Sequence, residues 1–112
     1  MAFSATTTID SSIAKITLSG ELDGNMAPLF QREVEKAATQ QVKRVVLLMS
    51  NLDYISSAGL RVLVFAKQKM GAGVDLYMIG AQQQVKDTIQ MTGFDRSIIA
   101  LDAYDAATIE NI

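Results

Sequence analysis

The segment NLDYISSAGLRVLVFAKQKMG, residues 51–71, sets two adjacent hydroxyls, Ser56 and Ser57, where an apolar run gives way to a helical pattern. Three chemistries are open to a serine at such a junction. Its oxygen can accept a hydrogen bond from a free N–H of the first helical turn, the ordinary capping role. It can carry a phosphate, which would lie over the unpaired N–H groups and the positive end of the helix dipole, adding a charge of roughly −1.5 to −2 at little cost to the fold. It can also attack a substrate as a nucleophile. The chain contains no His and no Cys, which removes the Ser-His-Asp triad and the commonest general base. The nucleophile-elbow pattern also fails, because Gly59 fits its second glycine but Ile55 stands in place of the first. SSAGLR lacks the lysine and glycine spacing of a P-loop. A non-enzymatic role is therefore expected, with capping and phosphate acceptance both open on pattern alone.

A second constellation is GELDG, residues 20–24, which brings Glu21 and Asp23 together just past an expected strand end. Paired carboxylates can bind a cation or act as acid and base. Without a third ligand, neither a metal site nor a cofactor is expected, which leaves turn polarity or contact with a partner protein. Arg61 lies one helical turn beyond Ser57. Its guanidinium can fold back on a phosphate at Ser57 or reach an acidic group on a partner; the plain reading is a solvated helix arginine.

The elements that would position these groups are legible from periodicity. Residues 14–20, AKITLSG, alternate as a half-buried strand, with FSATTTID as a hairpin partner across Asp10, Ser11 and Ser12. Met26, Phe30, Val34 and Ala37 recur at helical spacing and give a helix from about Met26 to Thr39, with Pro28 tolerable in its first turn. Residues 44–50, RVVLLMS, read as a strand buried on both faces. A helix follows from Ser57 to Met70, ended by Gly71–Gly73, and then a strand over residues 74–80. Val85 and Ile89 mark a helix that stops at Gly93, before a short strand around Ile98 and Ile99 and a closing helix from about Asp105 with an acidic N-cap. Of the six methionines, Met49 and Met78 fall in buried strands and serve as core filling. The order β-β-α-β-α-β-α-β-α contains three β-α-β crossovers and predicts an α/β fold with a mainly parallel sheet.

With 49% hydrophobic residues, the 112-residue chain can bury one core, so a single domain over residues 1–112 is expected. Ten basic residues are interspersed among twelve acidic ones, a net charge of −2 that offers no basic surface for nucleic acid. No apolar run approaches the ~18 residues of a membrane span, and the amino terminus has no basic segment followed by an apolar one. A cytoplasmic protein without direct membrane insertion is expected.

Taken in order along the chain, GELDG, RVVLLMSNLDYISSAGLRVLV and GVDLYMIGAQQQVKDTIQMTGFDRSI resemble the STAS family, in particular its stand-alone bacterial anti-sigma-factor antagonists. The resemblance implies a four- or five-stranded mixed sheet packed against about four helices. It also implies a partner-switching phosphoprotein that acts in transcription regulation. The unphosphorylated form would bind a GHKL-type anti-sigma factor and release the sigma factor; the same partner would phosphorylate it as a serine kinase, and a PP2C-type serine phosphatase would reset it. The family pattern Asp-Ser-Ser/Thr-Gly-Leu, anchored on Gly59-Leu60, places the acceptor at Ser57. Ser56 stands where the family carries Asp, and Ala58 where it carries the second hydroxyl, which leaves Ser56 as the runner-up acceptor. The Gly-Glu-Leu-Asp turn carries Asp23, and with it Glu21, into the kinase-binding region. The expected partner-binding set is Glu21, Asp23, Ser56, Ala58, Gly59 and Arg61. The alternative is a STAS protein serving a non-sigma partner, such as a signalling scaffold or a transporter.

Overall fold

The computed structural model describes residues 2–111. A five-stranded sheet in the order β1-β2-β3-β4-β5 is formed by β1 (Ser4–Asp10), β2 (Ile13–Leu22), β3 (Arg44–Ile55), β4 (Asp75–Ile79) and β5 (Ile99–Leu101). β1 is antiparallel to β2 across the tight turn at Ser11 and Ser12, and every later pairing is parallel. The crossovers are α1 (Ala27–Ala38), α2 (Ser57–Met70) and α3 (Gln83–Met91), the last followed by a 3-10 turn over Phe94–Ser97; α4 (Ala106–Ile109) closes the chain. This is the mixed, mainly parallel α/β architecture that the order of patterns predicts.

The three crossover helices share one face of the sheet. Phe30, Val34 and Ala37 of α1, Leu63 and Ala66 of α2, and Val85 and Ile89 of α3 pack with Ile16, Leu18, Val45, Leu47, Met49 and Met78 in one apolar cluster. Met49 and Met78 are core residues, as their strand positions suggest. The opposite face is covered by a smaller set, in which Ile109 of α4 sits with Ile13, Val46, Tyr77 and Ile79. The Asp105 carboxylate caps α4 by accepting the Ala107 N–H at 3.1 Å, so the expected acidic N-cap is present.

The main departures lie at strand ends. β2 runs to Leu22 rather than stopping at Gly20, so Glu21 is inside the strand and not beyond it. β3 continues past Ser50 to Ile55 through SNLDY, although Asn and Asp are poor strand formers. It can do so because β2 remains its partner over this length, while the polar Ser50 and Asn51 point to solvent. The β2–β3 register shifts between Thr17 and Ser19 and again between Gly20 and Glu21, leaving β3 with extra residues at two bulges. Bulges of this kind re-aim side chains near sheet ends. Gly20 itself has φ +86, and a Cβ there would collide with the Ala2 carbonyl oxygen. The final strand, Ile99–Leu101, includes Ile99 of the expected pair, and Ile98 is the extended residue that links the 3-10 turn to it.

One charged side chain is buried on α1. Glu33 Oε1 accepts the Thr7 hydroxyl of β1 at 2.8 Å, and Oε2 pairs with Lys36 Nζ at 2.7 Å. Burial pushes its carboxyl up, but the hydrogen bonds from Lys36 and Thr7 together with the Lys36 charge outweigh burial and hold it below its usual value of 4.5.

Candidate functional site

Parallel neighbours β2 and β3 deliver their carboxyl ends to one edge of the molecule, and each feeds a helix there. β3 reaches this edge by overhanging β4, whose pairing with it ends at Leu48. Beyond that point the side of β3 that β4 leaves open is met by side chains. Gln82 Nε2 donates to the Ser50 carbonyl at 3.2 Å and to Asp53 Oδ1 at 3.0 Å, while Gln84 Nε2 donates to the Asp53 carbonyl at 3.1 Å. Gln82 and Gln84 thus brace the strand that ends at the serine pair, while Gln83 Nε2 turns instead to Asp87 Oδ1 at 2.8 Å. Sequence reading missed this role; the signal was three amides just before the helical pattern of Val85 and Ile89.

The two serines have different environments. Ser56 is half-buried and extended, with φ −85 and ψ 171; its N–H donates to the Leu22 carbonyl at 2.9 Å, and its Oγ accepts the Gly59 N–H at 3.1 Å. It is the N-cap of α2. Ser57 is the first helical residue, exposed, and its hydroxyl makes no hydrogen bond among the described residues. Helix geometry leaves the N–H groups of Ser57 and Ala58 without intrahelical acceptors. Gly59 is buried under Leu22 and Ile55, and a Cβ on it would lie 2.8 Å from Leu22 Cγ and 3.0 Å from Ile55 Cγ1. Its place in the expected contact set therefore reflects packing: it lets α2 lie close to the two strand ends.

Asp23 also has an internal task. Its Oδ1 accepts the N–H groups of Asn25 and Met26, each at 3.0 Å, and its carbonyl accepts those of Met26 and Ala27, each at 3.1 Å. The formal cap residue of α1, Met26, offers no side-chain bond, so Asp23 organises this entrance from outside the helix. Glu21 is exposed on β2 opposite Tyr54. No group of three or more His, Cys, Asp or Glu side chains among the described residues is placed to hold a metal ion.

Between α1 and α2 lies a cleft of about 640 Å³ whose lining includes Pro28, Arg32, Glu35, Ala58, Arg61 and Val62. Arg61 is exposed on α2 at the Ser57 end of this cleft. The structure thus gathers Ser56, Ser57, Ala58, Gly59 and Arg61 on one helical entrance, with Asp23 and Glu21 on the neighbouring strand end. No helix among the described residues is long and apolar enough to cross a membrane.

This fold recurs in known proteins. Residues 4–109 match the STAS domain, and the chain belongs to that family. Within it, the similarity runs to anti-sigma factor antagonists. BtrV of Bordetella bronchiseptica, which bears that name, is 35% identical over 78 residues, 69% of this chain and 67% of the relative. An anti-sigma factor antagonist from Mycobacterium paratuberculosis superposes with a TM-score of 0.85 at 19% identity, over 96% of this chain and 92% of that one. SpoIIAA from Bacillus in its unphosphorylated form gives a TM-score of 0.74 at 18% identity, over 89% and 88% of the two chains. At such identities the structural likeness is one of fold.

Proposed function

We propose that the chain is the switch component of a partner-switching system: a cytoplasmic, non-catalytic anti-sigma-factor antagonist acting as one domain. In its unphosphorylated form it binds a GHKL-type anti-sigma factor and releases the sigma factor. That partner transfers the γ-phosphoryl group of ATP to Ser57. The Ser57 Oγ–P bond forms as the bridge to the β-phosphate breaks, ADP leaves, and the hydroxyl proton passes to a base on the kinase. A PP2C-type phosphatase hydrolyses the ester and resets the chain.

The observation that carries this reading is the division between the serines. Ser56 spends its oxygen on the Gly59 N–H, so Ser57 is presented exposed and unbonded on a rigid turn. Relatives named as antagonists, and the solution of SpoIIAA in both an unphosphorylated and a phosphorylated form, add to it. The modification adds a charge of roughly −1.5 to −2 to a surface that must be desolvated on binding. Moving occupancy from nearly all bound to nearly all free takes about 5.5 kcal/mol of differential affinity. Glu21 and Asp23 at the end of β2, with Ser56, Ala58 and Arg61 at the α2 entrance, form the contact surface in this reading.

Incubation with the cognate anti-sigma kinase and ATP should label Ser57. Ser57→Ala should abolish the label and retain binding. A label lost only in Ser56→Ala overturns the assignment to Ser57. Capture of a transport ATPase or scaffold in place of the kinase from cells overturns the sigma-factor role.

A further inference from the structure

The cleft beside Ser57 holds two cations from two helices, Arg61 of α2 and Arg32 of α1, both exposed. Among the described residues no carboxylate forms an ion pair with either, although Glu35 lines the same cleft. Among the described residues three cations are paired with a carboxylate, Lys36 with Glu33 at 2.7 Å, Arg44 with Asp75 at 2.8 Å and Lys86 with Asp102 at 3.6 Å; Arg61 and Arg32 are the unpaired cations that meet at one cleft. Two unneutralised guanidinium groups facing one cleft repel each other and remain ready for an anion. They differ in reach. At 3.6 residues per turn, Arg61 lies about 40° around the α2 axis from Ser57 and about 60° from Ala58. It stands between the exposed hydroxyl and the cleft, able to serve either, whereas Arg32 is confined to the α1 wall.

We propose that Arg61 is the intramolecular receiver of a phosphate on Ser57. Its guanidinium leaves the cleft mouth and folds back one helical turn, so that its planar fork engages two phosphate oxygens. The anion is then N-terminal to the cation at i, i+4, the favoured order on a helix. The modification thereby acts twice on the contact surface: it adds negative charge at the α2 entrance and withdraws a positive charge from the α1–α2 cleft. A partner that reads Arg61 in the unmodified chain loses that contact on phosphorylation. Arg32 and Glu35, the charged groups that line the cleft from α1, then remain side by side on that wall without a charge facing them from Arg61. The biological meaning rests on Ser57 being the acceptor, as proposed above, but the geometry can be tested without any kinase.

Phosphoserine placed at position 57 of the full chain by genetic-code expansion reports its own second ionisation by phosphorus NMR across a pH titration. The second pKa of the parent chain should lie below that of a short peptide of the same sequence. Arg61→Gln should raise it by about 0.3 units, the size expected of one such helical pair. Arg61→Lys should restore part of the depression, and Arg32→Gln should leave it unchanged. An unshifted value in Arg61→Gln overturns the proposal, because the backbone N–H groups then hold the phosphate unaided. A shift in Arg32→Gln in place of Arg61→Gln overturns it as well, placing the receiver on α1. Failure of a kinase to label Ser57 counts against the proposed function and leaves the NMR outcome standing.

Discussion

α1 and α2 enter from neighbouring strand ends on the same edge of the sheet, yet their first turns are closed in different ways. The α1 entrance draws on an upstream carboxylate: Asp23 collects two N–H groups with Oδ1, and the glycine beside it, Gly24, has nothing within 4 Å of where a side chain would begin. The α2 entrance is tight. Ser56 caps it directly, and Gly59 is pressed between Leu22 and Ile55. The open entrance commits its polar group to the fold, whereas the packed entrance fixes the backbone so firmly with one serine and one glycine that the next hydroxyl is left over. For the phosphorylation proposed above, such a setting would let a large change in charge occur without removing a structural bond.

The difference is sharpest at the two glycines. Gly59→Ala should lose about 1–2 kcal/mol, the upper part of an overpacking cost of about 1–3 kcal/mol reduced by about 1 kcal/mol from the better helix propensity of alanine. Gly24→Ala should stay within about 0.5 kcal/mol. Denaturant midpoints measure both, and equal losses would erase the contrast. Next come the caps. Asp23→Ala and Ser56→Ala should each cost about 1 kcal/mol, while Ser57→Ala should stay within about 0.5 kcal/mol of the parent. Asp23→Asn keeps the acceptor oxygen and discards the charge. If Asp23 contacts the partner, this variant should melt like the parent and bind more weakly, and unchanged binding would reduce Asp23 to its cap.

The last and most modest loss among the groups with a structural bond belongs to α1 alone. Its buried Glu33 has a folded-state pKa below the usual 4.5, so its contribution to stability is present above the unfolded value and is lost as pH falls through the folded one. Glu33→Gln should therefore destabilise modestly, by about 1 kcal/mol or less at neutral pH, and flatten the stability curve below pH 4.5. An acid limb as steep as the parent's would assign the loss to other carboxylates.

Periodic segments were the most legible. α2 occupies the range that its pattern indicates, because helix formers, a serine cap and a glycine stop agree there. The β3 extension was hidden, since its residues read as a loop and its strand state depends on β2 lying alongside, a fact of tertiary structure. At the site, both serines and Arg61 were visible as a group. The cap geometry that distinguishes Ser56 from Ser57 was not, because adjacent hydroxyls look alike until the backbone chooses one. The bond from Asp23 to the α1 entrance and the amide brace from Gln82 and Gln84 depend on turns whose conformation no spacing rule specifies.

That brace bears on how the protein behaves in a crowded solution. A strand that outruns its neighbour offers bare backbone to any other extended chain, the starting point of cross-chain pairing and aggregation. Here two glutamine side chains occupy that backbone at Ser50 and Asp53, so each glutamine covers one carbonyl of the overhanging strand, and replacing either one would bare its carbonyl to pairing with another extended chain.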